Sequence, residues 1–140
     1  MSFDHAAYQL PDPDDPELAP YWEGTRAGEL RVQHCLNCGH DQWPPRGACG
    51  QCQSFDLDWV SLPTRGRLHS WTVVWHTRLA DFVDRVPYAV GIIELGGGIR
   101  MIGYLDGDPA AWEMEERVDA TFVQLTERVS LPVWVRGSSR

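Results

Sequence analysis

The sequence predicts a mainly β protein with a short N-terminal helical segment, a small metal-binding module and a five-stranded barrel of the OB type. Three observations lead there. Two Cys-x2-Cys pairs, Cys35/Cys38 and Cys49/Cys52, stand close together in the first half. From Gly66 onward, short runs rich in β-branched and aromatic residues follow one another between turn residues, the pattern of strands rather than helices. A stretch compatible with a turn or two of helix, Asp108 to Glu116, separates the third and fourth of those runs, and that order suits a small Greek-key barrel.

A chain of 140 residues is long enough for one modest domain with an appended module. The expected division is 1–29 for a tail and short helix, 30–62 for the metal module and 63–140 for the barrel. No apolar run approaches the length a membrane helix needs. Met1-Ser2-Phe3-Asp4-His5 lacks the basic start and apolar run of a secretory signal. A cytoplasmic, reducing location is therefore expected, and there paired cysteines serve as metal ligands or redox thiols more often than as disulfides. The net charge is -8, and every basic residue is arginine. Nucleic-acid binding rests on phosphate neutralisation, so this charge argues against it unless the arginines cluster.

Taken in order, residues 1 to about 16 read as an irregular acidic tail, with Pro11, Pro13 and Pro16 pushing their predecessors into extended geometry. Asp15-Pro16-Glu17 reads as a helix start, with Asp15 as N-cap and Pro16 in the first turn. The helix would run from Glu17 to Arg26, with Pro20 counting against it. Its Tyr21-Trp22 pair must pack on something, either the core or a partner. Gly28 to His34 alternates as a strand, and Leu57 to Val60 forms another. The barrel strands are expected at Leu68–His76, Tyr88–Leu95, Ile99–Leu105, Val118–Thr126 and Leu131–Val135. Gly96-Gly97-Gly98 makes a hairpin connection, because glycine reaches positive φ freely. Pro132 would be confined to the start of its strand or to an edge. In the first strand, alternation places His69, Trp71, Val73 and Trp75 on one face, and Leu68, Ser70, Thr72, Val74 and His76 on the other.

Cys35, Cys38, Cys49 and Cys52 point to one tetrahedral zinc, because each Cys-x2-Cys turn delivers two thiolates to the same ion. Four thiolates leave no open coordination position, so the metal would brace structure rather than catalyse. Iron in the same site, a thioredoxin-like redox pair and disulfides are the competing readings, and the ligands alone do not exclude iron. Gly39 follows the first pair and permits a tight turn. The second pair has Gly50 inside it and Gln53 after it, which suggests a looser half-site. His34 and His40 flank the first pair as neighbours or hydrogen-bond donors to it.

No nucleophile elbow, phosphate-binding loop or zinc-protease motif is present, so a catalytic role is not expected. Asp81, Asp84, His76 and Arg85 gather around the connection between the first two barrel strands, with Phe82 among them as either a barrel plug or a partner anchor. Arg46 could meet a phosphate, or simply pair with Asp41. Trp43 is expected to pack over the metal module. Trp71 and Trp75 read as core first and as an interface stripe second. Seven tryptophans are more than one small core readily hides, so some aromatic surface is expected to meet another protein.

The ordered set of features resembles a family of zinc-ribbon/OB-fold accessory proteins that accompany thiolase-superfamily enzymes acting on acyl-CoA. The matching pieces are Tyr21-Trp22-Glu23-Gly24, Gly28-Glu29-Leu30, the two cysteine pairs with Pro44-Pro45 between them, Trp59, Gly66-Arg67-Leu68, Val86-Pro87-Tyr88-Ala89-Val90 and Gly98-Ile99-Arg100. The resemblance implies a helical segment, a rubredoxin-like zinc ribbon and an OB barrel, with zinc as a structural cofactor. It implies a non-catalytic subunit of a hetro-oligomer with a thiolase, a hydroxymethylglutaryl-CoA synthase or a lipid-transfer-type aldolase of steroid side-chain degradation. Tyr21, Trp22, Arg46, Phe82 and Tyr88 are then the candidates for a surface meeting the partner or acyl-CoA. The alternative is a module binding single-stranded nucleic acid through aromatic stacking. One departure stands out: Trp112-Glu113-Met114-Glu115-Glu116-Arg117-Val118 lacks a glycine that the family often carries before the fourth barrel strand.

Overall fold

The computed structural model describes residues 10–80 and 82–138. The order is helix α1 (Ala19–Arg26), then strands β1 (Leu30–Cys35), β2 (Asp41–Gln42), β3 (Leu57–Leu62), β4 (Arg65–Val74), β5 (Tyr88–Gly96), β6 (Ile99–Leu105), β7 (Arg117–Gln124) and β8 (Ser130–Arg136). The first three strands form an antiparallel sheet in the order β2-β1-β3, and the other five close a barrel, β4-β5-β6-β8-β7. That is the expected fold class.

The helix begins later than its sequence suggests. Asp15 organises a turn ahead of it, its carboxylate accepting from the Glu17 N–H at 3.0 Å and its carbonyl from Ala19 at 2.7 Å. The N-cap is Leu18, and Pro20 falls in the first turn, where the missing N–H has no partner to lose. Pro20 thus helps to start the helix it seemed to oppose. The helix ends at Gly28, whose φ of +75° allows the Glu29 N–H to reach the Gly24 carbonyl at 2.8 Å and the Gly28 N–H to reach Thr25 at 3.1 Å, a paired closure of the last turn.

Residues 10–16 are irregular, as expected, and Asp14 is tied by a bidentate ion pair to Arg128 in the β7–β8 turn. Residues 1–9 of the expected tail, and Asp81, lie outside the described residues.

Inside the barrel, Leu68, Ile93, Met101, Leu105, Val118 and Trp134 are fully or almost fully buried. Tyr21, Trp22, Leu30 and Val32 belong to the same apolar cluster as Leu125, Val129 and Val133, so helix, ribbon and barrel share one core. Burying each such side chain contributes about 1.5–3 kcal/mol.

Two expectations about the barrel need correction, and a third is met. The alternation along β4 breaks at a bulge between Leu68 and Ser70. One extra residue there re-phases the strand, which puts Leu68 on the same inner face as Trp71, opposite Gly91. Asp108–Glu116 forms turns rather than a helix. The Asp108 carboxylate caps the Ala110 N–H at 2.9 Å, and the side chain of Trp112, 5% exposed, pulls the segment against the core. Pro132 lies inside β8, opposite Phe122, where the strand has a partner on one side only, which is the edge position expected of it. It is tolerated because pairing of β8 with β6 involves only Val133 and Trp134, so no ladder bond is lost on that side.

Candidate metal centre

Strand β1 ends in Cys35, and the chain turns through Leu36–Cys38 back into β2, so the first cysteine pair sits on a hairpin tip. The second pair sits on the loop that leads to β3. In both turns the same bonds recur. The N–H of the fifth residue closes on the carbonyl of the first cysteine, Gly39 to Cys35 and Gln53 to Cys49, each at 2.9 Å. The N–H of each second cysteine points at the first sulfur, Cys38 to Cys35 Sγ and Cys52 to Cys49 Sγ, each at 3.5 Å. The Cys35 N–H donates to His40 at 2.9 Å and the Cys49 N–H to Ser54 at 2.8 Å. The second half-site is built like the first, and the expectation of a looser one does not hold. Gln53 takes a φ of +65° where Gly39 takes +77°, so a non-glycine residue accepts the left-handed position that the turn requires.

The four Sγ atoms all lie within 4.8 Å of one another. Cys35–Cys52 are separated by 3.6 Å and Cys38–Cys49 by 3.7 Å. A tetrahedral zinc with Zn–S bonds of about 2.3 Å needs sulfurs about 3.8 Å apart. The quartet therefore fits Zn2+, which it would hold as a closed, structural site. Cys35 and Cys49 are buried, whereas Cys38 is exposed, so the ion would be braced from the core side.

Hydrogen bonds prepare two of the sulfurs, those of Cys49 and Cys52, for a cation. The Asn37 side-chain amide, at 3.5 Å, and the Ser54 backbone N–H lower the Cys52 thiol to about 6. The Cys52 and Gln51 backbone N–H groups likewise lower Cys49. At Cys38 the His40 backbone N–H acts downward, but desolvation and the neighbouring thiols outweigh it and push that thiol up to about 12. Backbone donors aimed at sulfur favour the thiolate that a metal needs.

Two residues the sequence reading passed over brace the loop between the cysteine pairs. Gln33 and Gln42 face each other across β1 and β2, each only 7% exposed. Gln42 Nε2 donates to Gln33 Oε1 at 2.6 Å and to the Ala48 carbonyl at 3.2 Å, while its own oxygen accepts from the Gly50 N–H at 2.8 Å. Gln33 clamps the Arg46 backbone, donating to its carbonyl and accepting from its N–H, both at 2.9 Å. Buried polar groups are kept when fully bonded, and here they hold the segment that presents Cys49. Two glutamines at facing positions of short strands were the available signal.

The remaining candidates separate by burial. Tyr21 and Trp22 are buried, with Tyr21 4.9 Å from Trp22 and 4.7 Å from Trp43 between ring centroids. Burial pushes the Tyr21 hydroxyl up to about 12. Trp43 therefore packs the helix to the metal module. Tyr88 is buried too, beneath Phe82 at 5.1 Å and Tyr104 at 5.7 Å. Phe82 is half-buried and Arg46 exposed. Asp41 pairs with His34, Nδ1 to Oδ1 at 2.6 Å across β1 and β2, rather than with Arg46. Trp71 packs on the core, whereas Trp75 is 64% exposed. No described helix is long and apolar enough to cross a membrane.

Comparison with known proteins matches both modules. Residues 22–58 match the family described as ChsH2, rubredoxin-like zinc ribbon domain, and residues 59–123 match ChsH2, C-terminal OB-fold domain. Over 100 residues the chain is 34% identical to a DUF35 domain-containing scaffold protein of Methanothermobacter thermautotrophicus, covering 70% of this chain and 74% of that one. It is 32% identical over 119 residues to the 3-oxo-4,17-pregnadiene-20-carboxyl-CoA hydratase alpha subunit of Mycobacterium tuberculosis, covering 84% of this chain and 37% of that subunit. It is also 26% identical over 106 residues to benzoylsuccinyl-CoA thiolase subunit BbsA of Thauera aromatica, covering 76% of this chain and 72% of that one. A solved structure titled Ltp2-ChsH2(DUF35) aldolase superposes with a TM-score of 0.80 at 28% identity, covering 90% of this chain and 98% of that chain.

Proposed function

The chain belongs to the ChsH2 (DUF35) family of zinc-ribbon/OB-fold proteins, and from that premise we propose that it is the accessory subunit of a thiolase-fold enzyme acting on acyl-CoA thioesters. The observation that carries this reading is a match running through ribbon and barrel alike to proteins named as scaffolds or as subunits of a thiolase and an aldolase. The zinc centre supports it: with four thiolates the ion has no position for substrate, so its effect is to hold the ribbon in shape.

The finer reading is an aldolase complex cleaving a steroid side-chain acyl-CoA. It rests on the likeness to the Ltp2-ChsH2 aldolase and to the pregnadiene-carboxyl-CoA hydratase subunit. This chain spans about a third of the hydratase alpha subunits it matches, and the hydratase chemistry is not carried over. Arg46, exposed on the loop between the cysteine pairs, and Phe82, on the β4–β5 loop, are the candidate residues for a surface shared with the enzyme and its acyl-CoA.

The test is co-expression with the thiolase-fold subunit of the same organism. The two should co-elute on gel filtration, and the enzyme should gain activity or solubility. Separate elution with unchanged enzyme behaviour would refute the proposal.

A further inference from the structure

The outward side of β5 and β6 is the surface on which the barrel departs most from an ordinary solvated face. A Cβ on Gly91 would run into Leu68 and Leu105, and one on Gly103 into Trp134, so those glycines face inward. Alternation then turns Val90 and Ile92 on β5, and Ile102 and Tyr104 on β6, outward. They meet as cross-strand neighbours, Ile92 with Ile102 and Val90 with Tyr104. Ile102 is 76% exposed, and Trp75, Leu79 and Val83 in the adjoining β4–β5 loop are each about half exposed or more. That loop lays Phe82 over Tyr88 and Tyr104. Half of the large apolar side chains that stand exposed among the described residues lie on this face or its loop.

OB barrels bind on the outer face of their second and third strands, flanked by the loop joining the first two, and β5, β6 and the β4–β5 loop are those elements here. Charge decides between possible occupants. A chain of net charge -8 repels a phosphate backbone and also a second copy of itself. The border of the face is of mixed charge, with Asp84 and Glu94 beside three arginines. Arg100 shares the outward side of β6 with Ile102, its link to Glu94 stretched to 3.8 Å. Arg78 is exposed in the loop, and Arg85 lies 5.9 Å from the Phe82 ring. An apolar aromatic centre with a charged rim of both signs is the anatomy of a protein–protein interface, and it is complementary to a protein surface with an apolar centre and a polar rim.

We infer that the outer face of β5 and β6, centred on Ile102, is the docking surface for the enzyme subunit. The inference rests on the accessory-subunit reading above. The decisive experiment titrates the co-expressed thiolase-fold subunit of the same organism with full-length wild type, Ile102→Glu and the control Met114→Glu, which changes another exposed apolar residue, 65% exposed. Zinc content and thermal midpoint should be the same in all three. Ile102→Glu should bind at least tenfold more weakly, with Met114→Glu unchanged. Equal binding by wild type and Ile102→Glu would overturn the surface and leave the accessory role standing. Absence of binding by the wild type would overturn the accessory role and this surface with it. A homodimer that Ile102→Glu makes monomeric, or retention of wild type on single-stranded DNA that the variant loses, would assign the face to another occupant and overturn the inference.

Discussion

Gly39 and Gln53 occupy equivalent positions in the two cysteine turns, each donating its N–H to the carbonyl four residues back at 2.9 Å and each with a positive φ. Only one of them is the residue type that adopts this conformation without cost. The left-handed region disfavours a side chain by roughly 1–2 kcal/mol, partly offset by the flexibility a glycine adds to the unfolded chain. Gln53→Gly should therefore stabilise the protein by about 0.5–1 kcal/mol. Gly39→Ala should destabilise it by a similar amount through backbone strain alone, because a Cβ there meets nothing within 4 Å. Denaturant unfolding of the zinc-loaded protein checks both.

Glu115 offers an independent case of the same physics. Its φ is +61°, in a segment, Trp112–Val118, that contains no glycine. Its N–H donates to Leu68 at 2.8 Å, and these main-chain bonds survive substitution. Glu115→Gly should raise stability by roughly 0.5–1 kcal/mol, read as an upward shift of the thermal midpoint. No change or a fall would show that the side chain contributes more than its backbone conformation costs.

Removing the metal should separate ribbon from barrel. Apparent zinc contributions in small zinc peptides are about 10–16 kcal/mol, far beyond what a three-stranded sheet with a two-residue edge strand holds by itself. Elemental analysis should find about one zinc per chain, as a single four-thiolate site requires. Strong chelation, or Cys35→Ser, should unfold the ribbon and α1 and disturb the Tyr21–Trp43 ring contact, which tryptophan fluorescence will report. The closed barrel should keep its far-ultraviolet β signal.

Loss of the glutamine brace should be felt at the zinc. Gln42→Leu leaves the Gly50 N–H and the Ala48 carbonyl without their partner, at a cost of about 1–3 kcal/mol for each group that stays buried. Zinc transfer to a chromophoric chelator should be faster than in the wild type. Unchanged release would mean that the loop holds Cys49 without the brace.

Alkaline pH should destabilise the protein through Tyr21. Its folded hydroxyl is raised from 10.0 to about 12 by burial. A raised group contributes stability that is complete below its unfolded value and is lost as pH rises through the folded one. The window is therefore pH 10 to 12, and the loss amounts to about 3 kcal/mol across it. Thermal midpoints measured over that range should fall more steeply for wild type than for Tyr21→Phe. Parallel curves would contradict the assignment.

The sequence by itself determined the features that depend on near neighbours. Cysteine spacing specifies the zinc module because two residues between thiols is a turn-scale constraint, and β6 spans Ile99–Leu105 as its pattern indicates. Closure into a barrel followed from the number and order of the strands. Only the tertiary structure decided which side of a strand faces in once a bulge intervenes, as between Leu68 and Ser70. It also decided that Tyr21, Trp22 and Tyr88 are buried, that Gly103 is small because Trp134 lies where its Cβ would be, and that Gln33 clamps the backbone of Arg46, thirteen residues further along the chain. Periodicity reports the local backbone repeat, whereas these facts depend on register between segments far apart in the chain, where a shift of one residue exchanges inside for outside.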